Sequence, residues 1–403
     1  MNIKSLLLGS AAALVAVTGA RAADVIVPVA PEPTDYVRVC DVYGSGFFYL
    51  PGTETCMKIG GYVRFKYIVN GDQAFDNDEG DNYDSFSRVR VRLNFDVREE
   101  TELGTLRAFA RLQAENTGSN DDDFEMEQGY IQLGGLTMGY LDSLWVEGSG
   151  LLTDTDSIVG DIDVNRISYT YAADGFSAAL SLEDDDTGDF APNVVGRLAY
   201  EGGWGSIFLA GSYDENGFGA RSFGDLIVDG SDADDDDGGF ALKAGASLKD
   251  LIATDSEFKV EGSYAFDPSS YSTIGLFSGD VDGADFAFDF DGDGVIDDID
   301  GFSFNDDVPV EWQAGAGYAQ AFGKLGVAVS GLYGETFDFT GFNPFTGTFD
   351  SFDGGEYYRF VGNVGYEITN NFDVLAEVSY TNIDFGGDEV DQTAGFLQFV
   401  RSF

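Results

Sequence analysis

"SRVRVRLNFDV", residues Ser87 to Val97, decides how the chain must be read. Arg88, Arg90 and Arg92 alternate with Val89, Val91 and Leu93. Successive side chains of an extended strand point to opposite faces, so one face here is cationic and the other hydrocarbon. A soluble core would bury three unpaired arginines at heavy cost. The solvated face of an ordinary sheet would hold them. So would the inner wall of a water-filled barrel whose outer face meets lipid. On that lipid face, three arginines near the midplane would cost about 6–12 kcal/mol together. The valines and the leucine belong there instead.

The period-2 pattern continues to the end of the chain. Sixteen strand-like segments follow one another from Tyr62 to Phe403, and no helical periodicity of comparable length interrupts them. Their connections alternate in length. Long, mostly acidic ones, such as 70–87, 141–163, 214–238, 267–308 and 335–355, are separated by short turns such as Gly134–Gly135, Ala173–Asp174 and Thr369–Asn370. Such alternation makes neighbouring strands antiparallel and puts every long loop on the same side, the layout of an outer-membrane barrel. The faces agree. Phe258, Val260, Gly262, Tyr264 and Phe266 share one side, against Glu257, Lys259, Glu261 and Ser263 on the other. Phe372 and Tyr380, like Phe258 and Phe266, stand eight residues apart on the apolar face. On a tilted strand that is roughly 20 Å of height, close to the distance between two aromatic girdles. The fold expected is therefore all-β: a sixteen-stranded antiparallel transmembrane β-barrel with short periplasmic turns and long acidic outer loops.

Composition narrows the function. Residues 1–22 read as a secretory signal peptide, with Lys4, an apolar run from Leu6 to Val17 and the cleavage signal Ala20-Arg21-Ala22. Residues 23–61 read as an N-terminal segment and 62–403 as the barrel. Export favours a disulfide between Cys40 and Cys56, the only two cysteines. Between them, "CDVYGSGFFYLPGTETC" reads either as a plug near the barrel entrance or as a structural staple. A formal net charge of -51 repels nucleic acid. The absence of histidine excludes Ser-His-Asp and Cys-His catalysis and every His-ligated metal site. No carboxylate or lysine constellation suggests an enzyme.

The N-terminal stretches "MNIKSLLLGSAAALVA" and "DYVRVCDVYGSGFFYLPGTETCMKIGGYVRF" resemble the alphaproteobacterial general porins of the Brucella and Rhizobium type. "GYLDSLW" at the end of the fifth strand and the terminal Phe403 fit the same family. Arg401 departs from it, because the residue two before the terminal aromatic tends to be apolar in such barrels. The resemblance implies an outer-membrane homotrimer that passes small hydrophilic solutes by passive diffusion and needs no cofactor. It implies contact with outer-membrane lipid and lipopolysaccharide, and a third outer loop folded into the lumen. By position that loop is 141–163, "LDSLWVEGSGLLTDTDSIVGDID".

Two candidate sites follow. Arg64, Lys66, Arg88, Arg90, Arg92, Arg98, Arg107 and Arg111 fall on the expected inner face of the first three strands. The third loop carries Asp142, Glu147, Asp154, Asp156, Asp161 and Asp163. Folded inward, that loop would set acids against a basic wall across a narrow opening, the arrangement that gives a channel its selectivity. The competing arrangement pairs the arginines with wall carboxylates such as Asp96 and Glu115. Separately, "DFDGDGVIDDID" has the spacing of a twelve-residue Ca2+ loop: Asp289, Asp291, Asp293, the turn glycine Gly294, the carbonyl of Val295, Asp297 and Asp300. A substrate-specific channel and a calcium-dependent surface adhesin built on the same barrel are the alternative functions.

Overall fold

A computed structural model describes residues 38–71, 83–118, 121–185, 188, 190–215, 222–223, 226–228, 238–277, 286–288, 297–299, 308–343, 348–384 and 389–403. Sixteen long strands form one sheet. In chain order they are β1 Cys56–Gly71, β2 Tyr83–Thr101, β3 Gly104–Thr117, β4 Asp121–Leu133, β5 Leu136–Asp142, β6 Asp163–Ala173, β7 Phe176–Glu183 and β8 Asn193–Gly202. They continue as β9 Gly205–Asp214, β10 Gly239–Lys249, β11 Ser256–Ala265, β12 Val308–Phe322, β13 Leu325–Thr336, β14 Glu356–Thr369, β15 Phe372–Asp384 and β16 Glu389–Ser402. Every strand pairs antiparallel with its sequence neighbours. The sheet then closes on itself: Tyr62–Asn70 of β1 pairs with Ser402–Ala394 of β16. Closure removes both edges and satisfies every ladder of backbone groups, which is what lets a sheet sit in hydrocarbon.

The pleat sorts the side chains as the sequence pattern demands. Val63, Phe65, Val89, Val91, Leu209, Val329, Val364 and Val378 stand exposed on the outer face. Aromatic residues gather at the two ends of this apolar band. Phe240, Tyr264 and Phe266 form one cluster, with centroids 5.5 and 5.0 Å apart, and Tyr358 joins Phe360 and Tyr380 at 5.6 and 6.0 Å. At the other rim, Tyr200 packs on Trp204 at 6.3 Å and Phe372 on Phe399 at 6.3 Å. These are the two girdles that the spacing of Phe258 and Phe266 and of Phe372 and Tyr380 implies. Arg401 sits at the same rim, where its guanidinium donates to the Asn371 carbonyl at 3.3 Å. There a long cationic side chain reaches polar groups rather than hydrocarbon.

Strand ends differ from the alternation in one instructive place. β1 begins at Cys56, inside the stretch read as an N-terminal segment, because Gly60 and Gly61 interrupt the side-chain pattern without interrupting the ladder. A Cβ at Gly61 would lie 2.0 Å from the Arg92 carbonyl, so the backbones meet where only glycine fits.

Candidate functional site

The apolar core lies inside the barrel. Leu144, Trp145, Leu151 and Val159 of the third loop cluster with Tyr271, Ile274, Leu276 and Phe277. The wall residues Val195, Ala210, Ala241, Leu332 and Tyr357 belong to the same cluster. The 143–162 connection therefore folds inward, and the start of the long connection after β11 folds in beside it. There Ser270–Ser272 forms a short 3-10 turn, and Thr273–Ile274 pairs with Pro309 and Val308. Gly160, at φ +68, lets the returning chain pass close to Trp145 and the Tyr271 carbonyl.

The wall grips this loop mainly by its backbone. Glu183 accepts the Ser143 hydroxyl at 2.7 Å, the Leu144 N–H at 3.2 Å and the Tyr271 phenol at 3.0 Å. Burial and that carboxylate together push the Tyr271 phenol far up, so it donates as the neutral form. Arg197 donates to the Glu147 carbonyl at 3.1 Å. Lys243 donates to the Val159 carbonyl at 2.7 Å, with its ammonium 4.6 Å from the Trp145 ring centroid. Lys259 donates to the Ser149 carbonyl at 3.0 Å, and Glu261 accepts the Gly150 N–H at 3.1 Å.

At the tip the grip is tightest. The buried Glu377 carboxylate accepts the Asp154 and Thr155 N–H groups, both at 2.8 Å, and the Thr155 hydroxyl at 2.7 Å. Arg359, 6 % exposed, donates to the Thr155 carbonyl at 2.9 Å, to the Ser157 hydroxyl, to the Leu276 carbonyl and to Thr381. Each buried charge is thus met by several fixed dipoles, the condition under which burial of a charge is tolerated. Two wall glycines let the loop lie flat. A Cβ at Gly317 would fall 1.7 Å from the Leu151 carbonyl, and one at Gly315 would fall 2.5 Å from its side chain.

The basic residues singled out in the sequence occupy the opposite side. Register places Arg64 across from Arg90, Lys66 from Arg88, Arg92 from Gln113 and Arg98 from Arg107. Their ion pairs are local. Arg88 and Arg90 both meet Glu115, Arg92 meets Glu127 at 2.5 Å, and Arg98 and Arg107 share Asp96 at 2.7 and 2.9 Å. Arg111 lies 4.0 Å from Glu127. Phe109 and Tyr130, stacked at 5.2 Å, sit beneath the Arg107 guanidinium. The Arg64 Nε is buried without a hydrogen-bond partner among the described residues.

Among the described residues one ion pair joins the two sides: Lys66 to Asp154, 2.8 Å. The other loop acids do different things. Asp156 accepts the Leu151 N–H and holds the loop's own turn, and burial raises its carboxyl above the usual range. Glu147 uses its carbonyl. Asp142 and Asp163 correct the expected set, because they are not loop residues: they are register partners at the ends of β5 and β6. Gln128 donates to Asp142 at 3.0 Å. Two strands that pair up to this point leave no loop backbone there.

Arg197, Lys243, Lys259, Glu261, Arg359 and Glu377 hold the loop, and no sequence motif singles them out as site residues. Their inward parity was legible, as it is for Lys259 and Glu261. What was not legible is that a loop 50 to 223 residues away along the chain would supply their partners. Asp289, Asp291, Asp293, Val295 and Asp300 of the Ca2+ pattern lie outside the described residues. Asp297 opens a short strand, 297–299, paired with 286–288.

A closed antiparallel barrel with a hydrocarbon exterior, two aromatic girdles and a charged interior is a transmembrane barrel of the outer-membrane type. Within that class the family is settled by comparison. The chain belongs to the porin subfamily, whose model matches residues 24–396. It is 44% identical over 243 residues to "Porin Omp2b" of Brucella suis biovar 1, a match covering 53% of this chain and 66% of that protein. Porin Omp2b of Brucella suis is 42% identical over 253 residues, covering 53% and 67%. The match thus spans about two thirds of these relatives.

Solved structures share the fold at low identity. The outer membrane channel DcaP of Acinetobacter baumannii has a TM-score of 0.59 at 14% identity, covering 88% of this chain and 99% of that one. An anion-selective porin from Comamonas acidovorans has 0.52 at 13%, covering 87% and 100%. The protein is a resident of the outer membrane, as its family and barrel require.

Proposed function

We propose that the protein is a passive diffusion channel for small hydrophilic solutes and ions, whose conduit runs off-centre along the arginine ladder. One observation carries this reading. The described hydrogen bonds of the inward loop run to β7, β8 and β10 through β15 and, at the tip, to Lys66, while β2, β3 and β4 take none. The apolar cluster fills the gripped side, so the water path lies on the other. There Arg88, Arg90 and Arg92 face the tip acid Asp154 across Lys66. Opposed charges at a narrow place set ion selectivity. Local pairing with Glu115 and Glu127 mutes the cationic wall, and the acidic surface raises the local cation concentration. Weak cation selectivity is the expected balance.

The active form is proposed to be a homotrimer in contact with outer-membrane lipid and lipopolysaccharide, and catalysis forms no part of this reading. The decisive measurement is conductance of the purified protein in planar bilayers. A large ohmic conductance that no micromolar solute blocks supports general diffusion. A small one blocked by such a solute replaces it with a substrate-specific channel, and silence sinks both. The spacing of Asp289, Asp291, Asp293, Asp297 and Asp300 leads us to expect one Ca2+ held weakly, with a Kd on the order of 10⁻⁴–10⁻³ M. Calorimetry that gives equal uptake by wild type and Asp291→Asn/Asp293→Asn would discard that site.

A further inference from the structure

The segment before β1 does more than precede it. Phe48–Tyr49 pairs antiparallel with Met57 and Cys56. The backbone of Gly61 exchanges both its hydrogen bonds with Phe403, the last residue of the chain. The segment therefore takes up the edge of β1 just past the end of β16. It then turns back on itself: Val39 bridges Phe48, and the Cys40 N–H donates to the Phe47 carbonyl at 2.9 Å. The disulfide Cys40–Cys56 closes the knob.

Register fixes which way the knob faces. Cys56 stands opposite Arg98, and directly opposed residues of an antiparallel pair share a face. That is the face of Lys58, Arg64 and Lys66, the inner one. The knob is seated there by more than sulfur. The Arg98 guanidinium lies 5.7 Å from the Tyr43 ring centroid and 5.2 Å from that of Phe47, and Lys58 lies 6.0 Å from Phe47. Cys40, Phe47 and Cys56 are buried together, with Tyr43 and Tyr49 packed on them. A tether outside the barrel would need none of these inward contacts.

We propose that the segment 39–55 is a second constriction, at the periplasmic end of the same conduit. The inference rests on the channel reading above. Lys66, which meets the loop tip, and Cys56, which anchors the knob, lie toward opposite ends of β1, so the knob sits roughly 33 Å along the strand from the tip's contact. It covers the periplasmic ends of the inner faces of β1 and β2, on a wall that the third loop meets only at Lys66 among the described hydrogen bonds. Loop and knob therefore narrow one path at two depths: the loop at mid-barrel, the knob at its exit. The disulfide holds the knob across the opening rather than letting it swing out from β1.

The test uses the full chain in planar bilayers. Ser45→Trp adds bulk at the exposed crest of the knob, leaves every anchor in place and lowers the conductance by roughly a third. Cys40→Ser/Cys56→Ser frees the knob and raises it by a similar factor. Dithiothreitol on the periplasmic side of channels already inserted gives the same rise. In that step each cystine sulfur gains one electron and one proton, and the dithiol closes to its cyclic disulfide. Unchanged conductance in Ser45→Trp, or after mass spectrometry shows the disulfide open, overturns the proposal and leaves a staple. A wild-type protein that conducts nothing removes the channel reading itself, a result distinct from a conducting wild type with indifferent variants.

Discussion

The two sides of the barrel wall carry charges of the same kinds and use them differently. On β2 to β4 the arginines pair with carboxylates of the same wall, on the next strand or the one after it: Arg90 with Glu115, Arg92 with Glu127, Arg107 with Asp96. On β8 to β15 the charges reach inward to backbone N–H and carbonyl groups of the third loop, as Lys243, Glu261, Arg359 and Glu377 do. The first side keeps its own water-facing surface. The second gives its surface up to a packed apolar core. A barrel of this width needs its lumen part filled, and charges aimed at a loop's backbone hold that loop whatever its side chains are. That explains why so few of the loop's acids take part in ion pairs.

The comparison breaks most visibly if the loop is driven off the wall. Gly317→Leu places a side chain where the Leu151 carbonyl now lies. We expect single-channel conductance to change by about twofold or more, with the barrel still folding because β12 keeps its ladder. A variant with wild-type conductance would mean that the loop is not seated at Gly317.

Removing a grip is gentler. Arg359→Ala deprives the Thr155 carbonyl and the Leu276 carbonyl of their charged donor. Hydrogen bonds to a charged group contribute about 1.5–3 kcal/mol each, so the loss should lower the temperature at which the folded band disappears on a gel. Open-channel noise should rise as well. The same substitution on the other side, Arg111→Ala, should move the thermal transition less, because its carboxylate lies 4.0 Å away, at the limit of an ion pair.

Arg90→Glu sharpens the contrast from the ladder side. Lumen substitutions tune selectivity while lipid-facing ones damage stability. The new carboxylate would stand beside Glu115 and opposite Arg64. Reversal potential under a salt gradient should move toward cation selectivity with the barrel intact. No movement would take Arg90 out of the conducting path.

The smallest expected effect is that of pH on Asp156. Burial holds its carboxyl above the value of an unfolded chain, against the pull of the Leu151 N–H. The folded protein therefore binds that proton more tightly than the unfolded one. Its contribution to loop stability is full below the free aspartate value, near pH 4, and is lost as pH rises through the raised value. Conductance noise should fall slightly on acidification across that window, and Asp156→Asn should flatten the change.

The sequence alone determined the barrel. Alternation in segments such as Ser87–Val97 and Ser256–Phe266 fixes which side chains face lipid, because a strand has only two faces and a charge is tolerated on only one of them. Loop lengths that alternate fix the antiparallel order. The terminal positions of Cys40 and Cys56 in an exported chain anticipated their bond. Tertiary structure decided what fills the lumen. Nothing local in "SSYSTIGLF" shows that Tyr271, Leu276 and Phe277 turn inward to pack on Trp145, because burial there requires a wall built from strands far along the chain. Nothing in the spacing of Arg359 and Glu377 shows that both reach for Thr155. Periodicity tells which way a side chain points; only the closed barrel brings to that point the group it meets.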